Sequence, residues 1–147
     1  MKKNFRLVLV PFILSSFVFI SCASIKEIPD DKTAAQIIQM GQNAAFASDY
    51  KSAEFCYNTA IERFGTDPSA YLEAKYELGR CYLKQKKYEK SYQIMTELLE
   101  LYDVHGTALP GAYKKLSQIC ISQIPEKKLA DIQAKQKTKS SNLSATE

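Results

Sequence analysis

The apolar positions of this chain change rhythm near its start. Residues 7–20 are almost continuously apolar, broken only by Pro11, Ser15 and Ser16. From Thr33 onward, apolar and small residues return every three or four positions, the spacing that lines one face of an α-helix. Ile37, Met40, Gly41 and Ala44 mark a first helix; Ala53, Cys56, Tyr57, Ala60, Ile61 and Phe64 mark a second, stopped at Gly65. Asp67 followed by Pro68 is the cap-then-proline order that opens a helix, and Tyr71, Ala74, Leu78, Cys81 and Tyr82 share one side of this third element. A fourth carries Tyr88, Ser91, Tyr92, Met95, Leu98, Leu99 and Tyr102 up to the break at Gly106. A fifth starts around Pro110, aligns Ala112, Tyr113, Leu116, Ile119 and Cys120, and ends by Pro125. The weaker pattern of Leu129, Ala130, Ile132 and Gln133 predicts a capping helix over 126–136, whereas the Lys-, Ser- and Thr-rich residues 137–147 are expected to be disordered. The expected fold is all-α.

The helices repeat in pairs, at a spacing of about 38 residues, close to the ~34 to 47 of paired-helix repeats. Gly41 returns as Gly79 and, as a small residue, Ser117; Tyr50 returns as Tyr88, and Ala53 as Ser91. Such a unit is a helix hairpin that cannot bury its apolar face alone and stacks on its copies, here about two and a half of them. Gly41, Gly79 and Ser117 are expected to face Ala53 and Ser91, because small side chains let two helix axes approach closely.

These positions resemble the tetratricopeptide repeat: Met40, Gly41, Tyr50, Ala53, Tyr57, Ala60 and Pro68 in one copy, Leu78, Gly79, Tyr82, Tyr88, Ser91 and Leu98 in the next. The chain departs from that pattern in having no tryptophan and in placing Ser91 where alanine is usual. The resemblance implies a solenoid over residues 33–125 whose first helices line a concave groove. Carried onto this chain, the groove positions are Ile38, Gln42, Ala45 and Phe46, then Glu73, Tyr76, Arg80, Leu83 and Lys84, then Lys114, Gln118 and Ile121. With cations at Arg80, Lys84 and Lys114 among apolar and aromatic side chains, the groove suits a peptide carrying carboxylates; Arg and Tyr are common interface anchors.

The apolar run at the start is preceded by Lys2, Lys3 and Arg6, and is shorter than the ~20 residues of a membrane-spanning helix. A basic start and a short apolar core predict a secretory signal over residues 1–21. Its end, Phe19-Ile20-Ser21-Cys22, resembles the lipobox of bacterial lipoproteins, although Phe19 stands where leucine is usual. That resemblance implies cleavage before Cys22 and acylation of Cys22 with fatty acid such as palmitate. Residues 22–32 then form a lipidated tether. Several acyl chains, at roughly 0.8 kcal/mol per buried methylene, hold a domain on a bilayer where one would be marginal. Ala23 and Ser24 lack the aspartate that retains some lipoproteins at the inner membrane, which implies the outer membrane and its periplasmic face.

Lipobox and long-period repeats together resemble the BamD family of lipoproteins in the outer-membrane β-barrel assembly machinery. The likeness covers roughly residues 33–122 and implies a non-enzymatic scaffold that binds another protein. Alternatives left open are a pilotin or envelope scaffold for a secretin or cell-wall machine, and a surface-exposed lipoprotein binding host molecules.

Composition narrows the chemistry. The 20 basic and 16 acidic residues give +4, but removing Lys2, Lys3 and Arg6 leaves 17 against 16, too little for counterion-driven nucleic-acid binding. Cys56, Cys81 and Cys120 lie on apolar helix faces and are read as buried thiols, with a Cys56–Cys81 bridge as the alternative. No Cys-x-x-Cys pair suggests a metal site, and no cofactor is expected. His105 is the only histidine and has no nucleophile or carboxylate cluster near it in sequence, so an enzyme is not expected.

Overall fold

The computed structural model describes residues 24–144, so the expected signal segment and Cys22 lie outside the described residues. Among the described residues every regular element is helical: α1 (Ala34–Phe46), α2 (Tyr50–Phe64), α3 (Pro68–Lys84), α4 (Tyr88–His105), a 3₁₀ turn at Gly106–Ala108, α5 (Ala112–Ser122) and α6 (Glu126–Ser144). The starts are set by side-chain caps. Thr33 and Gln36 exchange backbone and side-chain bonds of 3.3 and 3.0 Å in a capping box. The Asp49 carboxylate accepts from the Ser52 N–H and hydroxyl at 3.2 and 2.6 Å. Asp67 accepts from the Ser69 and Ala70 N–H groups, just ahead of Pro68.

Each helix from α1 to α5 packs on the next, and α3 also meets α1 and α5. Two apolar clusters result. One gathers Ile37, Ala53, Cys56, Tyr57 and Ala60 with Leu78 and Cys81 of α3. The other joins Leu72 of α3 to Met95, Leu98, Tyr102 and Cys120. The third helix therefore supplies opposite faces to both.

Within each hairpin the glycine lies under a large side chain. A Cβ on Gly41 would stand 2.5 Å from the Tyr57 ring, and one on Gly79 would stand 2.5 Å from the Met95 methyl. The expectation that these glycines face Ala53 and Ser91 is thereby corrected: they receive the residue one turn further on. Both Ala53 and Ser91 are fully buried.

The turns inside the first two hairpins are copies. Ser48 and Lys86 both adopt left-handed backbone, φ 62° and 60°. In each, the following N–H reaches back five residues, Asp49 to the Ala44 carbonyl and Lys87 to the Tyr82 carbonyl, both at 2.9 Å. This is the Schellman closure, made here without glycine at a cost of ~1 kcal/mol per site. One period later the donor is replaced by Pro125, which has no N–H and disfavours helical backbone at Ile124. There the Ile124 N–H still bonds to the Ile121 carbonyl at 3.0 Å, but the longer bond back to the helix is not made. Although α2, α4 and α6 begin at matching positions, α6 packs on α4 and, among the described residues, not on α5.

Two expectations change at the ends. Residues 24–32 are not a loose tether: Ile28 is buried, the Ile25 N–H donates to Ser52 Oγ at 2.7 Å, and Arg63 donates to the Ile28 and Pro29 carbonyls at 2.9 Å. At the other end α6 continues to Ser144, beyond the capping helix expected over 126–136. Residues 137–144 contain no glycine or proline to stop it, and Lys137, Lys139 and Leu143 are good helix formers.

The two glycines should respond differently to alanine. The added methyl gains about 1 kcal/mol of helix propensity at either position. At Gly79 the flexible end of Met95 can give way, and Gly79→Ala is expected to leave stability nearly unchanged. At Gly41 the enclosed ring cannot, so Gly41→Ala should cost about 1–3 kcal/mol, several degrees in a thermal melt followed by circular dichroism.

Candidate functional site

A polar and aromatic surface runs along one face of α3 because Glu73, Tyr76, Glu77, Arg80, Leu83 and Lys84 recur every three or four residues. The α5 helix closes its far side. Between them lies a recess of about 390 Å³ lined by Tyr76, Arg80, Leu83, Lys84, Ile119, Cys120 and Gln123. The Tyr76 and Tyr113 rings sit 5.6 Å apart and tilted by 53°, bracing the two helices across it.

Electrostatics organise its floor. Arg80 donates to both Glu77 carboxylate oxygens, at 3.0 and 3.2 Å, and its guanidinium lies 5.6 Å from the centre of the Tyr76 ring. Gln42 of α1 donates to the same carboxylate at 3.3 Å. Burial, and then the Glu77 charge, raise the Glu73 pKa above its ordinary value. The Tyr57 hydroxyl is buried with no hydrogen-bond partner among the described residues; burial, followed by the Glu77 charge, pushes its ionisation upward.

The residues anticipated for the groove divide accordingly. Tyr76, Arg80, Leu83 and Lys84 line one recess together. Gln42 is outside its lining and donates instead to Glu77, the partner of Arg80. Ile38 does not reach it: the side chain is 1% exposed in the first apolar cluster, because α1 meets both α2 and α3 and more than one of its faces is enclosed. Ala45 is buried likewise. Phe46 is 91% exposed at the last position of α1. Lys114 lies 3.8 Å from Asp103, an ion pair between α5 and the end of α4. Gln118 is exposed on α5 outside the recess lining, and Ile121 packs against the second cluster. Arg80 is therefore a paired cation, not a free one. Its i−3 spacing from Glu77 was the sequence signal for that pair.

A second cavity, of about 400 Å³ and mainly apolar, escaped the periodicity argument. Gly65, Pro68, Tyr71, Leu72, Leu101, His105, Ala108 and Leu109 line it. Its walls come from two segments distant in sequence, residues 65–72 and 101–109, and the packing of α3 against the end of α4 joins them.

Among the described residues there is no cluster of metal-ligating side chains and no helix long and apolar enough to cross a membrane. Cys56, Cys81 and Cys120 are free, buried thiols, so no Cys56–Cys81 bridge forms. Burial raises the pKa of each, and for Cys56 it reaches about 11.

No protein-family model matches the chain, and no solved structure matches it. Among curated proteins, an uncharacterized protein of Treponema pallidum (strain Nichols) is 32% identical over 116 residues, which cover 76% of this chain and 46% of that relative. The chain thus spans about half the length of the relative, whose own activity is uncharacterized.

Thiol chemistry checks the burial. A raised pKa leaves less thiolate at a given pH, so native Cys56 should react with iodoacetamide at pH 8.5 at least about 100-fold more slowly than after unfolding in guanidinium. Mass spectrometry of the alkylated peptides reads the difference; equal rates in the two states contradict the enclosed core.

Proposed function

We propose that this protein is a non-enzymatic, tetratricopeptide-type scaffold that holds a segment of another protein in the α3–α5 recess. The observation that carries the reading is the recess itself: apolar Leu83 and Ile119, the Tyr76 ring held from outside the lining by Tyr113, and Lys84 exposed at the rim. The repeated hairpin, with a glycine tucked beneath a large side chain and the same turn made twice, supports the tetratricopeptide assignment. An apolar or aromatic side chain of the partner occupies the recess, and a neighbouring carboxylate meets Lys84.

The signal-like residues 1–21 and Cys22 place the scaffold, in this proposal, as an acylated lipoprotein on the periplasmic face of the outer membrane, with a BamD-like part in assembling β-barrel proteins. Ile119 is 43% exposed and Lys84 is on the surface, so both can be changed without opening the core. The variant Lys84→Glu with Ile119→Glu should keep its helical circular dichroism and lose at least tenfold of the β-barrel assembly machinery recovered with it from cross-linked membranes. Undiminished recovery removes the recess as the binding site. Recovery of a secretin in place of the assembly machinery removes the BamD-like role.

A further inference from the structure

The path of the chain before α1 gives the stack a polarity. Ser24 lies against Asp49 at the start of α2, Ile25 bonds to Ser52, and Ile28 and Pro29 reach Arg63 at the far end of the same helix. Residues preceding Ser24 therefore join the domain at the edge that carries the turn between α1 and α2. The turn between α3 and α4 occupies the same edge: Cys81 Sγ is 4.0 Å from the Tyr50 carbonyl, and Gln85 and Lys87 both donate to Glu54, at 2.6 and 3.1 Å.

Two kinds of side chain stand out on this edge. Phe46 is 91% exposed beside the first turn. Around the second turn and the flank of α6, a recess of about 420 Å³ is lined by Lys86, Lys87, Lys90, Lys128 and Lys135. Glu89 and Asp131 oppose them in the lining, and Lys87 is paired with Glu54 at 3.1 Å, which leaves Lys86, Lys90, Lys128 and Lys135 as the cations offered to the surface. Among the described residues the opposite edge has no such run of lysines: it carries Asp67, which caps α3, with Asp30 paired to Arg63 at 3.1 Å and Asp103 paired to Lys114 at 3.8 Å.

We propose that the edge bearing Phe46 and the lysine recess lies flat on an anionic lipid surface, with Phe46 inserted among the headgroups and the lysines meeting their phosphates. Basic clusters next to a membrane-attachment point bind anionic headgroups additively, and an aromatic side chain adds apolar contact at the interface. The inference deepens the anchoring reading, in which Cys22 attaches the chain two residues before Ser24. Orientation follows from it: the exposed Asp67 and Asp103 edge faces away from the bilayer.

Because Cys56, Cys81 and Cys120 are buried, a single surface cysteine can carry a probe. The full chain, purified from membranes and reconstituted into vesicles containing phosphatidylglycerol, would be labelled at Ala47→Cys on this edge or Thr66→Cys on the other. Doxyl-labelled lipid is expected to quench the Ala47→Cys probe several-fold more than the Thr66→Cys probe. The difference should shrink about tenfold in Lys86→Glu with Lys128→Glu, or in phosphatidylcholine alone. Equal quenching at both positions, or quenching indifferent to lysine reversal, overturns the proposal. Probe-to-probe contact between copies at Ala47→Cys, in place of quenching by lipid, overturns it also. Fatty-acid labelling of the wild-type and Cys22→Ala chains reads the anchor separately. Absence of label with the quenching pattern intact sinks acylation and spares the edge; label at Cys22 with equal quenching does the reverse.

Discussion

The structure depends on how closely two helices can approach within a hairpin. At Gly41 there is no side chain, and the Tyr57 ring fills the space where one would be; Met95 does the same over Gly79. Tyr57 and Met95 are both fully buried, so each contact draws a large side chain out of water while bringing two helix axes together. The following helix then packs against a smooth, closed hairpin. That is how α3 can face α2 with Ala74, Leu78 and Cys81 and still present Leu72 to the second cluster and Tyr76 to the recess.

Closure also needs the turn. Asp49 and Lys87 donate the backbone bonds that fold α2 against α1 and α4 against α3, and Pro125 cannot make the third. The sequence period continues through α6, but the hairpin does not. The helix swings instead to α4, where Ile132 is buried and Gln133 reaches the Tyr92 hydroxyl at 3.5 Å. Packed there, α6 brings Lys128 and Lys135 alongside Lys86 and Lys90.

Much of this was legible in the residues. The helix registers followed from spacing, the cap at Asp67 from its proline, and the hairpin from the return of Gly41 at Gly79. Other features depend on contacts that spacing does not encode. The tetratricopeptide resemblance implies a groove position for Ile38, but α1 meets both α2 and α3 and the side chain is enclosed between them. Ile25 and Ile28 stand alone in a polar stretch, and only the chain's return along α2 gives them a surface to cover. Pro125 marks the end of α5 in the sequence, and only the structure shows that its position is the one where the first two hairpins use an N–H. Arg80 shows the same limit in electrostatics, because a cation counted along the sequence was already paired with Glu77.

The most direct measurement is a double-mutant cycle between Gly41 and Tyr57. If the glycine exists to admit the ring, the destabilisation by Gly41→Ala should largely vanish in a Tyr57→Leu background, giving a coupling of about 1 kcal/mol or more by chemical denaturation. Additive costs, with Gly41→Ala as damaging beside leucine as beside tyrosine, would contradict the account of how these helices are held together.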